Sequence, residues 1–280
     1  MDKIKMTKEI PVPFYDSAKQ SNPAWDEFIQ TLRYKDLIMH LVRRDVTARY
    51  KRSVLGIAWT MLNPLGMMLI LTVVFSQVFS TIDGYAAYIL SGLLVWNFFS
   101  QSTVSGINSM VWGGDLFRRI YFPRSVYAIS AIGTGIVNLL LSMIPYVIVS
   151  LAVGKPLTLN FFWVVVPIVL ISMFTLGLAL IVASVGVRFP DVVEMFNIFL
   201  FAWMYLTPII YPEDIVPAWL LAFFKFNPMY HLIKLFREPI FYGQPLYPQL
   251  VGICTLIAVF TLVLGWIIFS RMTDEIAYRS

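Results

Sequence analysis

Six long stretches of this chain contain no Asp, Glu, Lys or Arg, and they constrain its fold more than any other feature. They span residues 54–82, 84–114, 125–154, 156–187, 195–212 and 239–270. A membrane-spanning helix needs about 20 mostly apolar residues, and each stretch can hold one. Only 13% of all residues are charged, against about 25% in ordinary globular domains. We therefore expect an all-α membrane protein with six transmembrane helices.

Basic residues are distributed unevenly between the segments that connect these spans. Seventeen of the 21 Lys and Arg fall in the N-terminal region, in the loops after spans two and four, and in the C-terminal tail. The positive-inside rule then predicts that both termini are cytoplasmic. The chain is expected to comprise a cytoplasmic N-terminal arm (1–53), a transmembrane domain (54–270) and a cytoplasmic tail (271–280).

The N-terminal arm ends in RRDVTARYKRS, which places dense positive charge directly before the first span. Earlier in the arm, Asn22-Pro23 is a typical helix start. Apolar residues then recur at helical spacing opposite a basic face, which predicts an amphipathic helix in the membrane interface. In one interpretation the basic face only contacts lipid head groups. In the other it also docks a soluble partner. A nucleic-acid partner is disfavoured, because the neighbouring span explains the charge.

The predicted spans lack the ionisable residues that several classes of membrane protein need. No charged residue or histidine falls in the middle of a span, which disfavours ion-coupled transporters and intramembrane hydrolases. His40 and His231 are too far apart for one metal site. Gly154-Lys155 lacks the rest of a phosphate-binding loop. The sequence thus predicts no metal or cofactor in this chain, and any ATP would be bound by another chain.

Uncharged polar and aromatic residues occupy particular faces of the spans instead. They either hydrogen-bond and pack between helices or form the wall of a pore for a polar, uncharged solute. The candidate pore-lining residues are Trp59, Asn63, Asn97, Gln101, Ser105, Phe196, Phe199 and Trp203. Kinks inside spans are predicted at Pro64, Pro145, Pro167 and Pro208.

Two connecting segments have unusual composition. The loop GGDLFRRIYFPRS is expected to contain a short helix at 115–121, which is either a docking element or an interfacial turn with snorkelling arginines. The outer segment 213–238 is too apolar for a solvated loop, yet its apolar pieces are too short to span. We expect two short re-entrant helices there, at 219–226 and 229–236.

Several of these segments carry a family resemblance when they are taken together. RRDVTARYKRSVLGIAWTMLNPL, LFRRIYFPRSV and FNPMYHLIKLFREPIFYG occur in this order. They resemble the ABC-2 permeases of polysaccharide exporters, most closely the O-antigen type. The resemblance extends from Trp25 to the C-terminus. It implies a non-enzymatic permease that forms a homodimer and works with two copies of a separate ATPase, which binds ATP and Mg.

The resemblance also implies roles for particular residues. It identifies the ATPase-coupling helix with Leu116, Phe117, Arg118, Arg119, Ile120 and Tyr121. It identifies an interface or gate helix with Arg43, Arg44, Asp45, Arg49, Tyr50 and Arg52. The implied function is ATP-driven export of a lipid-linked polysaccharide across the inner membrane.

Three alternatives remain open at this point. The cargo could be teichoic acid, capsule, a lipid or a drug. A membrane-embedded transferase would need paired acids or histidines at a membrane face, and Asp115, Asp191 and Glu194 show no convincing pairing. A structural scaffold would leave the coupling-helix pattern unexplained.

Overall fold

The computed structural model describes residues 23–50, 55–56, 58–112 and 123–277, and this part of the chain is helical without any strand. Short 3₁₀ helices at Leu159–Val164 and Glu213–Ile215 accompany the α-helices. The predicted coupling helix and Arg52 lie outside the described residues. The α-helices are α1 (Pro23–Arg33), α2 (Lys35–Tyr50), α3 (Ala58–Phe75), α4 (Tyr85–Val111), α5 (Ser125–Ala152), α6 (Val165–Arg188), α7 (Asp191–Tyr205), α8 (Ala218–Phe224), α9 (Pro228–Ile240) and α10 (Pro248–Ala277).

Four helical segments are long and apolar enough to cross a membrane: Ala58–Phe75, Ser125–Ala152, Leu159–Arg188 and Pro248–Met272. They confirm the expectation of an all-helical membrane protein. α4 has 27 residues and is more polar than these four, while α7 has only 15. That α4 and α7 also span, giving six in total, stays a prediction.

The helices pack around α4, most of which is buried. α4 contacts α3 and α5 on one side and α6, α7 and α9 on others. α6 and α10 cross at Gly177 and Gly265, where the two backbones touch so closely that an added Cβ would collide with the other helix. Small residues permit such close contact between apolar helices.

The N-terminal arm is attached to the beginning of α5. Ser125 Oγ donates to Glu27 Oε1 over 2.6 Å and also shares a hydrogen bond with Thr31 Oγ1. Leu41 of α2 packs against Val126 and Tyr127. The arm is therefore fixed to the helix that directly follows the predicted coupling segment.

The loops predicted to be outer meet at the opposite end of the bundle. Lys155 Nζ lies 2.9 Å from Asp83 Oδ2, and Asn160 Nδ2 donates to the carbonyl of Gly243 over 2.8 Å. Two short helices are present in the segment predicted to be outer, as α8 and α9. That they are re-entrant stays a prediction. Asn227 caps α9 by accepting from Met229 N. Which end of the bundle faces the cytoplasm stays a prediction.

The proline positions correct one sequence-based expectation. Pro64 and Pro145 lie inside α3 and α5, and Pro167 stands in the first turn of α6. The kink expected at Pro208 is wrong, because α7 already ends at Tyr205. Pro208 instead lies in the turn after α7, where its carbonyl accepts a hydrogen bond from Arg237.

Candidate functional site

A polar groove lies between α3, α4 and α5 and has a volume of about 340 Å³. Five of the eight candidate pore-lining residues line it: Trp59 and Asn63 from α3, and Asn97, Gln101 and Ser105 from α4. The i, i+4 spacing of the α4 residues places them on one helix face. The groove thus brings together residues that the sequence selected separately from two helices. Their role in a pore stays a prediction.

The third wall of the groove comes from α5, which the sequence analysis did not select. Thr134, Asn138 and Ser142 line the groove, and their spacing of four residues was a signal that could have found them. Ser142 Oγ lies 3.2 Å from the carbonyl of Thr60 and so connects α5 to α3. The same polar periodicity therefore marks the groove on two neighbouring helices.

The chemistry of the groove is polar but uncharged. Among the described residues that line the groove, none is ionisable, and its amides and hydroxyls can both donate and accept hydrogen bonds. Ser102 Oγ and Thr134 Oγ1 are buried without a hydrogen-bond partner. Buried polar atoms normally have partners in protein or water. The groove therefore suits a neutral, hydroxyl-rich solute better than an ion.

The other three candidate pore-lining residues do not reach this groove. Phe196, Phe199 and Trp203 lie on one face of α7, and their rings form a series of contacts that reaches Phe99 of α4 through Trp203. The ring of Trp203 is 5.3 Å from that of Phe99, and its Nε1 donates to Asn227 Oδ1 over 2.8 Å. The structure thus divides the eight residues into a polar groove and a separate aromatic cluster.

The described gate-helix residues lie on the surface of α2. Arg43 and Arg44 are exposed, and Arg44 Nη2 lies 2.9 Å from Asp45 Oδ1. An exposed pair between neighbouring residues contributes little to stability. Arg49 and Tyr50 form the end of α2, and their side chains are outside the described part. This basic surface belongs to the same arm that is fixed to the beginning of α5.

Arg237 is the residue whose environment the sequence misjudged most. It lies in the segment 213–238, which the sequence predicts to be outer, yet it is only 4% exposed. Its guanidinium donates to the carbonyls of Pro208, Ile209 and Tyr88 and to Ser91 Oγ. The guanidinium carbon also lies 3.7 Å from the centroid of the Tyr88 ring. Gly92 makes room for it, because an added Cβ would stand 2.6 Å from Nη2.

A bundle of apolar helices around a polar groove is the architecture expected of a membrane permease. The comparison with known families agrees with this class. The chain belongs to the ABC-2 type transporter family, whose model matches residues 36–241. The family expected from the sequence is therefore confirmed.

Individual relatives are similar to the chain over most of their length. The O-antigen export system permease protein RfbA of Myxococcus xanthus is 31% identical, with 88% of this chain and 95% of the relative aligned. RfbA of Klebsiella pneumoniae is 27% identical over 86% of this chain and 94% of the relative. The polysialic acid transport protein KpsM of Escherichia coli is 25% identical, over 72% and 80% respectively.

Proposed function

We propose that this chain is the channel-forming permease subunit of an ATP-driven exporter that moves a lipid-linked polysaccharide of the O-antigen type across the cytoplasmic membrane. The uncharged polar groove between α3, α4 and α5 is the observation that carries the proposal. Its amides and hydroxyls match the hydroxyl groups of a glycan. The names of the O-antigen and polysialic acid relatives support the same class of cargo.

The proposed assembly contains two copies of this chain and two copies of a separate ATPase, which binds ATP and Mg. The groove is only partly enclosed, and much of α3 is exposed and apolar. A second copy of the chain would cover such a surface and complete the pathway. Lipid would cover the remaining apolar faces of the bundle.

The proposed mechanism is mechanical and involves no covalent chemistry in this chain. Closure of the ATPases would move the loop at 115–121, which connects α4 to α5. Since α5 forms one wall of the groove and also holds the N-terminal arm through Ser125, movement of its first turn would reach the pathway and the arm together. Teichoic acid, capsule, lipid or drug cargo remains the alternative within the same family.

Cysteine accessibility tests the groove as the pathway. The chain has one cysteine, Cys254, which is buried and can be replaced by Ala to give a background without thiols. In this background, Asn97→Cys and Gln101→Cys are introduced, and surface polysaccharide is measured in cells that lack the native gene. A bulky thiol reagent is expected to stop export in both variants.

Phe260→Cys is the matched control, because Phe260 is exposed on the outer face of α10. Its modification is expected to leave export unchanged. Complete labelling of Asn97→Cys and Gln101→Cys with normal export would contradict the groove as the pathway. Normal surface polysaccharide in cells without any copy of the gene would contradict the exporter function itself.

The coupling segment needs a separate test. Phe117→Ala combined with Arg118→Glu is expected to reduce ATPase association and export while membrane insertion stays normal. Membrane-fraction blots and co-purification measure the two properties. If association and export do not change, the segment is only an interfacial turn.

A further inference from the structure

A second polar cavity, which we call the outer cavity, lies where α9 meets the turn after α7 and the segment before α10. Its volume is about 390 Å³, within the range of about 300–1,000 Å³ typical of ligand pockets. It lies at the end of the bundle away from the N-terminal arm. None of the residues predicted from the sequence as pore-lining contributes to it.

Glu238 lines the outer cavity with a carboxylate that lacks a full set of partners. The residue is only 5% exposed, and its buried Oε2 has no hydrogen-bond partner among the residues that the structure describes. Leaving a buried polar atom unpaired costs free energy, and a carboxylate oxygen costs more than a neutral one. Glu238 is also among the residues that line the cavity, so a ligand bound there would lie beside this carboxylate and could supply hydrogen-bond donors to it.

The two cations that line the cavity form their hydrogen bonds and ion pairs with groups other than Glu238. Arg237 directs its donors away to backbone carbonyls and Ser91. Lys234 Nζ pairs with Glu213 Oε2 at 3.2 Å. The residues lining the cavity include three carboxylates, on Glu213, Asp214 and Glu238, against these two cations. The surplus of acceptors disfavours an anionic ligand.

The rest of the lining favours a sugar over a metal ion. Within the described residues, no group of three or more His, Cys, Asp and Glu side chains could hold a metal ion. Tyr242 and Tyr247 also line the cavity, and each is about half exposed. Tyr247 OH donates to Gln244 Oε1 over 2.9 Å, which leaves its ring face available. Carboxylate acceptors together with half-exposed aromatic rings suit the hydroxyls and the apolar ring face of a pyranose.

We propose that the outer cavity is a glycan-binding subsite in which Glu238 accepts hydrogen bonds from the hydroxyls of one sugar residue and Tyr247 contacts the sugar ring. The choice of a glycan rests on the proposed function. The position of the cavity, at the end predicted to be outer, means that it would hold the polymer as it leaves the groove. The subsite lies apart from the groove. It is lined by charged residues, whereas the described lining of the groove is uncharged.

Direct binding tests this subsite. The full chain, purified in lipid nanodiscs, is titrated with delipidated oligosaccharide released by mild acid from the surface polysaccharide of the same cells. Glu238→Gln keeps the side-chain volume but removes the charged acceptor. We expect it to weaken binding by about tenfold or more, as for the loss of hydrogen bonds to a charged group. Tyr247→Ala, at a 52% exposed position, should weaken binding without affecting folding.

Glu194→Gln is the matched control, because Glu194 is an exposed carboxylate at the start of α7, far from the outer cavity. Its binding is expected to equal that of the wild type. If Glu238→Gln and Tyr247→Ala both bind the oligosaccharide as tightly as the wild type does, the subsite is overturned. It is also overturned if a wild-type chain that supports export does not bind the oligosaccharide. If the wild-type gene fails to restore surface polysaccharide to cells from which the gene has been deleted, the proposed function is contradicted. The assignment of a glycan to the outer cavity is then contradicted as well, because it rests on that function.

Discussion

Arg237 joins α9 to α4 and to the turn after α7 by hydrogen bonds to four groups. Arg237→Met would remove these hydrogen bonds, and we expect it to lower the free energy of unfolding by about 1–3 kcal/mol for each buried acceptor that is left unpaired. Thermal unfolding in detergent measures the effect. Lys225→Met is the control, because Lys225 is exposed. Similar melting temperatures for the two variants would show that the buried arginine does not stabilise the outer end.

The burial of Glu238 leads to a separate prediction about how the stability of the chain depends on pH. Burial raises the pKa of the Glu238 carboxyl, Lys234 partly opposes this rise, and Glu213 adds to it. The folded chain therefore binds the proton more tightly than the unfolded chain. The resulting stabilisation is present below the unfolded pKa and is lost as the pH rises through the folded pKa. Glu238→Gln stays neutral, so its melting temperature should exceed that of the wild type at pH 7.5, and the difference should shrink towards pH 4.

The neighbouring acid provides the control for that measurement. Asp214 is an exposed carboxylate at the same cavity, and Asp214→Asn should not reproduce the pH-dependent gain. A Glu238→Gln chain that is less stable than the wild type at pH 7.5 would show that the carboxylate is stabilised by partners in the folded state.

At the scale of helices, the close crossing of α6 and α10 depends on glycine. Gly177→Leu would push a side chain into the backbone at Thr261, so we expect a large loss of folded protein, of at least about 3 kcal/mol from overpacking. Size-exclusion profiles of a fluorescent fusion measure it. Gly252→Leu on α10 is the control, because nothing lies within 4 Å of its added Cβ.

The attachment of the arm gives a second prediction at this scale. Ser125→Ala removes the hydrogen bond to the Glu27 carboxylate, an interaction with a charged group worth about 1.5–3 kcal/mol. We expect faster proteolytic cleavage within α1 and α2. Ser109→Ala should not change cleavage, since Ser109 Oγ bonds only within its own helix, to the carbonyl of Ser105. Equal cleavage of both variants would contradict a fixed arm.

The sequence predicted where helices form better than it predicted which helices pack against each other. The charge-free stretches predicted the apolar helices, and the helix break at Asn227-Pro228 predicted the two short helices α8 and α9. Both signals are local in the sequence. The division of Phe196, Phe199 and Trp203 from Asn97 and Gln101 was not predictable in this way, since helical periodicity defines a face but not what packs on it. The burial of Arg237 was missed for the same reason, as its acceptors come from segments up to 149 residues away.

For the whole molecule, the distribution of basic residues predicts a fixed orientation. Of the 21 Lys and Arg, the ends of the chain and two loops carry seventeen, which should hold both termini in the cytoplasm. A fluorescent protein fused to the C-terminus should then fluoresce, and an alkaline phosphatase fused there should be inactive. A phosphatase fused after Asp83 should be active. The reverse pattern would invert the proposed direction of export.

The contacts of Arg237 also impose an order on biosynthesis. The Tyr88 carbonyl and Ser91 Oγ of α4 are synthesised almost 150 residues before the arginine that binds them. The donor that joins α4 to the turn after α7 is therefore missing until the ribosome has completed α9. The outer end of the molecule can therefore assemble only after most of the chain has entered the membrane, and a nascent chain that stops before residue 237 presents an unfinished surface to the cell's membrane-protein proteases.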